Sequence, residues 1–133
     1  MDHPTAAALL EVPLFADLPA DHLERLAETF ETDEHPAGHA IVREGEAGYA
    51  FFVIASGTVS VTHDGRELRT MGPGEFFGEI SIAGEGRRTA TVTATSPVEV
   101  WVLFGADFRV LEVEHPEIAA ALSKAIELRL ATG

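Results

Sequence analysis

Residues 76–94 read FFGEISIAGEGRRTATVTA, and in them the chain departs from its own habits. The protein has 133 residues with 9 basic and 22 acidic side chains, a formal charge of −13, yet two of its arginines, Arg87 and Arg88, stand side by side here. Around them lie Gly78, Gly84 and Gly86, one early carboxylate, Glu79, and then the β-branched run of Thr89 to Thr93. Glycine lets backbone N–H groups come close to a ligand, and clustered N–H groups form an anion-binding concavity. A guanidinium beside them supplies a forked, permanent positive charge suited to phosphate, at about 1.5–3 kcal/mol per charged hydrogen bond. The hydroxyl of Thr89 adds a further donor. Glu79 would repel a bare phosphate, but it can accept from hydroxyl groups. The segment therefore reads as a site for a sugar joined to a phosphate. The competing reading makes Arg88 a surface arginine paired with Glu79 or Glu85.

Working outward, short β-rich runs surround this segment: HAIVREG, AFFVIASG, TVSVTHDG, ELRTMGPG and TATVTATSPVEVWVLF. Most end in Gly or Pro, as strands bounded by turns do. His63-Asp64-Gly65 signals a tight hairpin, since Asp-Gly accepts positive φ. Gly72-Pro73-Gly74 marks another sharp turn, and Gly45 and Gly57 read as turn residues without a site role. Ahead of the β region, LPADHLERLAETF places Leu23, Leu26, Ala27 and Phe30 on one helical stripe, with Pro19 at its start and Leu14, Phe15 and Leu18 as packing residues before it. Behind it, ADFRVLEVEH turns Phe108 and Leu111 inward with Val110 as a third candidate, and His115-Pro116 interrupts the run. PEIAAALSKAIELRL then carries Ile118, Leu122, Ala125, Ile126 and Leu130 along one side. The expected architecture is mainly β with flanking helices, an antiparallel, jelly-roll-like β-roll. It forms a single domain over 1–133: a helical segment at 1–34, a roll at 35–104 and two C-terminal helices at 105–133.

Composition narrows the function. Hydrophobic residues make up 46% of the chain, enough for a core,. The acidic surface disfavours nucleic acid and anionic lipid as direct partners. Cysteine is absent, so neither disulfides nor thiolate metal sites can form,. The start MDHPTAAALLEVPLF lacks a signal peptide's basic and apolar regions, and no apolar run approaches the ~20 residues needed to span a bilayer. A cytoplasmic location is the expectation. The histidines offer a metal-binding alternative, but no His-x-His pair lies on a strand, and they read as solvated groups. No Ser, His and Asp arrangement suggests covalent catalysis, so the chain reads as a non-enzyme.

The pairing of F-G-E-I-S with G-R-R-T-A-T-V-T-A resembles the phosphate-binding cassette of cyclic nucleotide-binding domains. That family includes the bacterial catabolite activator protein, kinase regulatory subunits and nucleotide-gated channels. The step from Glu79 to Arg88 (88 − 79 = 9) is the family's own. VPLFADL, PAGHAIVREGEAGYAFFVIASGTVSV, GPGEFFGE and DFRVLEVEHPEIA have counterparts in the same order. The resemblance implies a 3′,5′-cyclic nucleotide as ligand, cyclic AMP in the first place and cyclic GMP as the alternative, with no cofactor. Glu79 would accept the ribose 2′-OH. Arg88 would neutralise the cyclic phosphate, helped by Thr89 and the N–H of Ala90. Gly78 with the amides of Ile80 and Ser81 would close the floor, and Val61 would pack against the purine. Arg87 would face solvent or steer the anion. The helix around Leu122 to Ile126 is the candidate lid, and its stripe could alternatively pair two copies as a homodimer. Nothing after Leu130 reads as an output segment, so an output domain or partner protein is implied. The competing function is a degenerate domain that serves protein interaction without nucleotide.

Overall fold

The computed structural model describes residues 2–45, 50–78 and 90–132, with the side chains of 130–132 excepted. Among these residues the predicted β-roll is present, as two four-stranded antiparallel sheets. One has the order β1-β8-β3-β6 and the other β2-β7-β4-β5. The strands are β1 (Glu31–His35), β2 (Ala40–Val42), β3 (Ala50–Ser56), β4 (Val59–His63), β5 (Arg66–Met71), β6 (Phe76–Phe77), β7 (Thr91–Ala94) and β8 (Val98–Phe104). The helices are α1 (Ala6–Leu10), α2 (Ala20–Thr29), α3 (Gly105–Glu114) and α4 (Pro116–Thr132), with a 3-10 turn at Pro13–Phe15.

Alternation along the strands divides the core. On one face of the first sheet, Phe51, Val53, Trp101 and Leu103 meet Leu9, Leu14, Phe15, Leu23, Leu26 and Phe30 from the N-terminal segment and Phe108, Leu111, Ile118, Leu122 and Ile126 from α3 and α4. On its other face, Phe52, Ile54, Val98, Val100 and Val102 meet Val59, Val61, Met71, Val92 and Ala94 of the second sheet. Side chains in a strand point to opposite faces in turn, so β3 and β8 are apolar at nearly every position. They face helices on one side and the partner sheet on the other, and accordingly read as continuous apolar runs rather than alternating ones.

The helical stripe of α2 behaves as its spacing predicts: Leu23, Leu26 and Ala27 are buried and Pro19 stands at the N-cap. The Asp-Gly turn closes β4 onto β5 with φ of 52° at Asp64 and 78° at Gly65, the backbone a two-residue hairpin requires. Gly72-Pro73-Gly74 folds back onto β3, with the Gly74 N–H donating to the Ile54 carbonyl at 2.8 Å.

Two expectations, the start of the roll and the facing of Val110, need correction. Strand structure begins at Glu31, not after residue 34, because Glu31–His35 pairs with β8 along its whole length. Its sequence, ETDEH, has no apolar alternation to betray a strand. It is an acidic sheet edge, the kind of charge that discourages further strand addition. The run TATVTATSPVEVWVLF is two strands in different sheets, β7 and β8, divided by a turn at Ser96-Pro97, where proline's missing N–H ends the ladder. Val110 is 51% exposed while its neighbour Leu111 is 3% exposed. The α3 register thus turns Val110 outward.

Candidate functional site

The two ends of the glycine- and arginine-bearing segment belong to different sheets. Its entry, β6, pairs with β3 in the first sheet (Phe52↔Phe77, Val53↔Phe76). Its exit, β7, lies between β2 and β4 in the second. Residues 79–89 thus connect one sheet to the other. Glu79, Ile80, Ser81, Arg87, Arg88 and Thr89 lie outside the described residues; Gly78, Ala90 and Val61 lie within them.

Gly78 has φ of +86°, a backbone state that costs an L side chain roughly 1–2 kcal/mol and glycine almost nothing. Ala90 is half-buried and packs on the inner cluster between the sheets. Val61 is 8% exposed, belongs to that same cluster, and pairs across β4 and β7 with Val92. Val61 and Ala90 therefore present an apolar wall on the roll's inner side, beside the point where the chain enters and leaves 79–89.

The two phenylalanines at the entry serve both cores. Phe77 stacks on Phe52 with centroids 4.8 Å apart and planes 11° apart, on the inner side. Phe76 packs with the outer cluster, its ring 5.5 Å from that of Phe51. The sequence signal for this division is the FF pair itself, since successive side chains on a strand point to opposite faces. Leu122 and Ile126, read as a candidate lid, are 0% and 8% exposed in the outer cluster under the helices and not in the inner one. Outer-core packing is the role this arrangement gives them.

A cleft of about 520 Å³ elsewhere on the first sheet is lined by Glu34, His35, Pro36, Ser56, Pro97, Val98 and Glu99. Glu34 and Glu99 are direct cross-strand partners there. Two like charges opposite each other repel an incoming phosphate as they repel one another, so this cleft does not compete as the anion site. Asp33 stands 3.3 Å from Nε2 of His35, yet that nitrogen is buried without a hydrogen bond. The ring instead stacks on His39 at 4.9 Å. His35 is therefore not the solvated group expected, its side chain being only 13% exposed, whereas His39 is exposed as expected.

A double-sheet roll, with a glycine- and arginine-bearing connection between its sheets and helices on one flank, defines a β-roll ligand-binding domain. The chain belongs to the cyclic nucleotide-binding domain family, whose sequence model matches residues 32–115. Over 102 residues it is 42% identical to a cGMP-dependent protein kinase of Caenorhabditis elegans, covering 71% of this chain and 13% of the kinase. Over 123 residues it is 35% identical to the cyclic AMP receptor protein of Thermus thermophilus, covering 89% of this chain and 57% of the receptor. Among solved structures it resembles the N-terminal domain of a transcriptional regulator from Streptomyces coelicolor. There the TM-score is 0.80 and the identity 33%, over 94% of this chain and 93% of that one. The chain therefore spans a small part of the kinase and little more than half of the receptor. No helix among the described residues is long and apolar enough to cross a membrane.

Proposed function

We propose that this domain is a sensor that binds a 3′,5′-cyclic nucleotide, cyclic AMP in the first instance, and reports occupancy through its C-terminal helices to an output domain or partner. In this reading Arg88 neutralises the cyclic phosphate, Glu79 accepts the ribose 2′-OH, Thr89 and the Ala90 N–H complete the phosphate contacts, and Gly78, Ile80 and Ser81 form the floor. Val61 packs against the base. The observation that supports it is the position of the flanks. β6 and β7, on either side of the glycine- and arginine-bearing sequence, lie in different sheets, and Val61, Val92 and Ala90 make an apolar wall beside the exit. A nucleotide needs both chemistries within its own length.

Phe76 supplies a physical route for the signal. It sits at the start of the cassette and packs on the same outer cluster that holds α3 and α4. A shift of the cassette on binding cannot leave that cluster undisturbed, because packed interiors have little free volume. Such a switch also requires different ligand affinity in two helix arrangements. Both bases have precedent among the relatives: the Thermus receptor is named for cyclic AMP and the Caenorhabditis kinase for cyclic GMP.

Calorimetric titration of the purified chain with each cyclic nucleotide tests the reading. Saturable binding that weakens by about 10- to 150-fold in Arg88→Ala, the equivalent of one charged hydrogen-bond interaction, is the expected result. If neither nucleotide binds at millimolar concentration, the sensor reading fails and the interaction-module reading takes its place.

A further inference from the structure

The β4–β5 hairpin tip approaches the connection between β2 and β3, and three side chains converge there: Glu44, His63 and Asp64. Each offers one ligand atom, an imidazole nitrogen or a carboxylate oxygen, and these atoms all lie within 4.8 Å of one another. Among the described residues this is the one group of three such donors that converges. We propose that it is a binding site for a divalent first-row transition-metal ion of the zinc type.

The donor set sets the class of ion. Imidazole with carboxylates suits zinc, cobalt or nickel, whereas magnesium and calcium prefer all-oxygen sites. The spacing agrees. His63 Nδ1 is 3.3 Å from Glu44 Oε2, and His63 Nε2 is 3.6 Å from Asp64 Oδ2. Both are longer than the ~2.7–2.9 Å of a charge-assisted hydrogen bond. Two ligands on a tetrahedral ion with bonds of ~2.0–2.1 Å stand about 3.3 Å apart. One ion takes one ring nitrogen, and Nδ1 is the one that Glu44 approaches more closely. The Asp64 side chain is 86% exposed and that of His63 54%, so the aspartate can swing to the ion and water can complete the coordination. Glu44 is the less exposed anchor, at 30%, and its carboxylate already accepts the Asp64 N–H at 3.1 Å.

Its place in the fold gives the site a consequence. The backbone N–H of Glu44 donates to Thr91 Oγ1 at 3.0 Å, and Thr91 opens β7 directly after Ala90. An ion held at Glu44 and His63 would brace the hairpin tip and the β2–β3 connection against the strand that leaves the cassette. Sequence reading could not see this, because Glu44 and His63 meet only when β3 and β4 fold between them.

The test is calorimetric titration of the full chain with zinc chloride alone, without nucleotide, so that its outcome is independent of the sensor reading. One saturable equivalent is expected. It should weaken at least 10-fold in His63→Ala, in Glu44→Gln and in Asp64→Asn, the last keeping a residue that tolerates positive φ. His39→Gln should bind as the parent does. Amide chemical shifts should move at Glu44, Asp64 and Thr91. Undiminished binding in the three variants, shifts centred on His35 and His39, or no saturation by about millimolar zinc would each overturn the proposal. Matching circular dichroism and melting temperature of the variants establish that loss of binding is not loss of fold.

Discussion

The rings of Phe51 and Phe76 lie 5.5 Å apart with planes inclined at 47°, joining β6, the entry to the glycine- and arginine-bearing segment, to the core beneath the helices. The contact extends further: Phe51 to Phe30 at 6.3 Å, and Phe30 edge-on to Phe15 at 5.9 Å. An aromatic file thus runs from β6 to the N-terminal helical segment. Truncating it should register in stability. Phe51 is fully buried, so Phe51→Ala should cost about 3–5 kcal/mol in urea unfolding. Phe76→Ala, at a half-buried position, should cost less. If the file carries the signal, Phe76→Ala should also reduce any nucleotide-induced change in helix exchange protection.

The α3 register makes a paired prediction. Leu111→Ala should destabilise by about 2–5 kcal/mol, whereas Val110→Ala should fall within about 0.5 kcal/mol of the parent. Equal losses would mean that α3 is rotated from the arrangement described.

At Gly57, the φ is +88° and an added Cβ would stand 2.3 Å from the Pro97 carbonyl oxygen. Backbone cannot yield there without disturbing the turn into β8. Gly57→Ala should therefore lose well over the ~1–2 kcal/mol of a left-handed alanine. Gly65→Ala is the control, since its φ is also positive, at +78°, but nothing lies within 4 Å. It should lose only the backbone term. Thermal unfolding of the two variants separates strain from collision.

Arg87 and Arg88 are neighbours with different assigned parts. Nucleotide affinity should fall by about 10- to 150-fold in Arg88→Ala, as one charged contact is removed. In Arg87→Ala the loss should be small and should shrink further with added salt, as a steering charge requires. Comparable losses that are insensitive to salt would place both guanidinium groups on the ligand.

Ser60 is nearly buried and donates to Glu67 at 2.7 Å across the β4–β5 pair. Glu67→Ala leaves that hydroxyl without its partner, and a cost of about 1–3 kcal/mol is expected in chemical denaturation. Ser60→Ala in the same background should recover part of it, since no buried polar group then remains.

Much of this was legible in residue order because the signals are local. The i, i+3, i+4, i+7 stripe of α2, the Asp-Gly turn and the Gly-Pro-Gly bend each lie within a few residues of chain. What escaped were features without a local signature. The acidic strand β1 has no apolar alternation and is a strand only because β8 offers it backbone partners. Val110 and Leu111 are both apolar neighbours on a helix, and which one turns inward depends on where α3 meets the first sheet.

Residue order by itself therefore determined the roll and the flanking helices, since turn backbones and side-chain periodicity are properties of short segments. Tertiary structure alone decided that residues 79–89 join opposite sheets, that Phe76 and Phe77 serve different cores, and that Glu44 meets His63. These depend on how two sheets stack and pair, and that pairing is settled by the joint burial of apolar faces contributed from all along the chain.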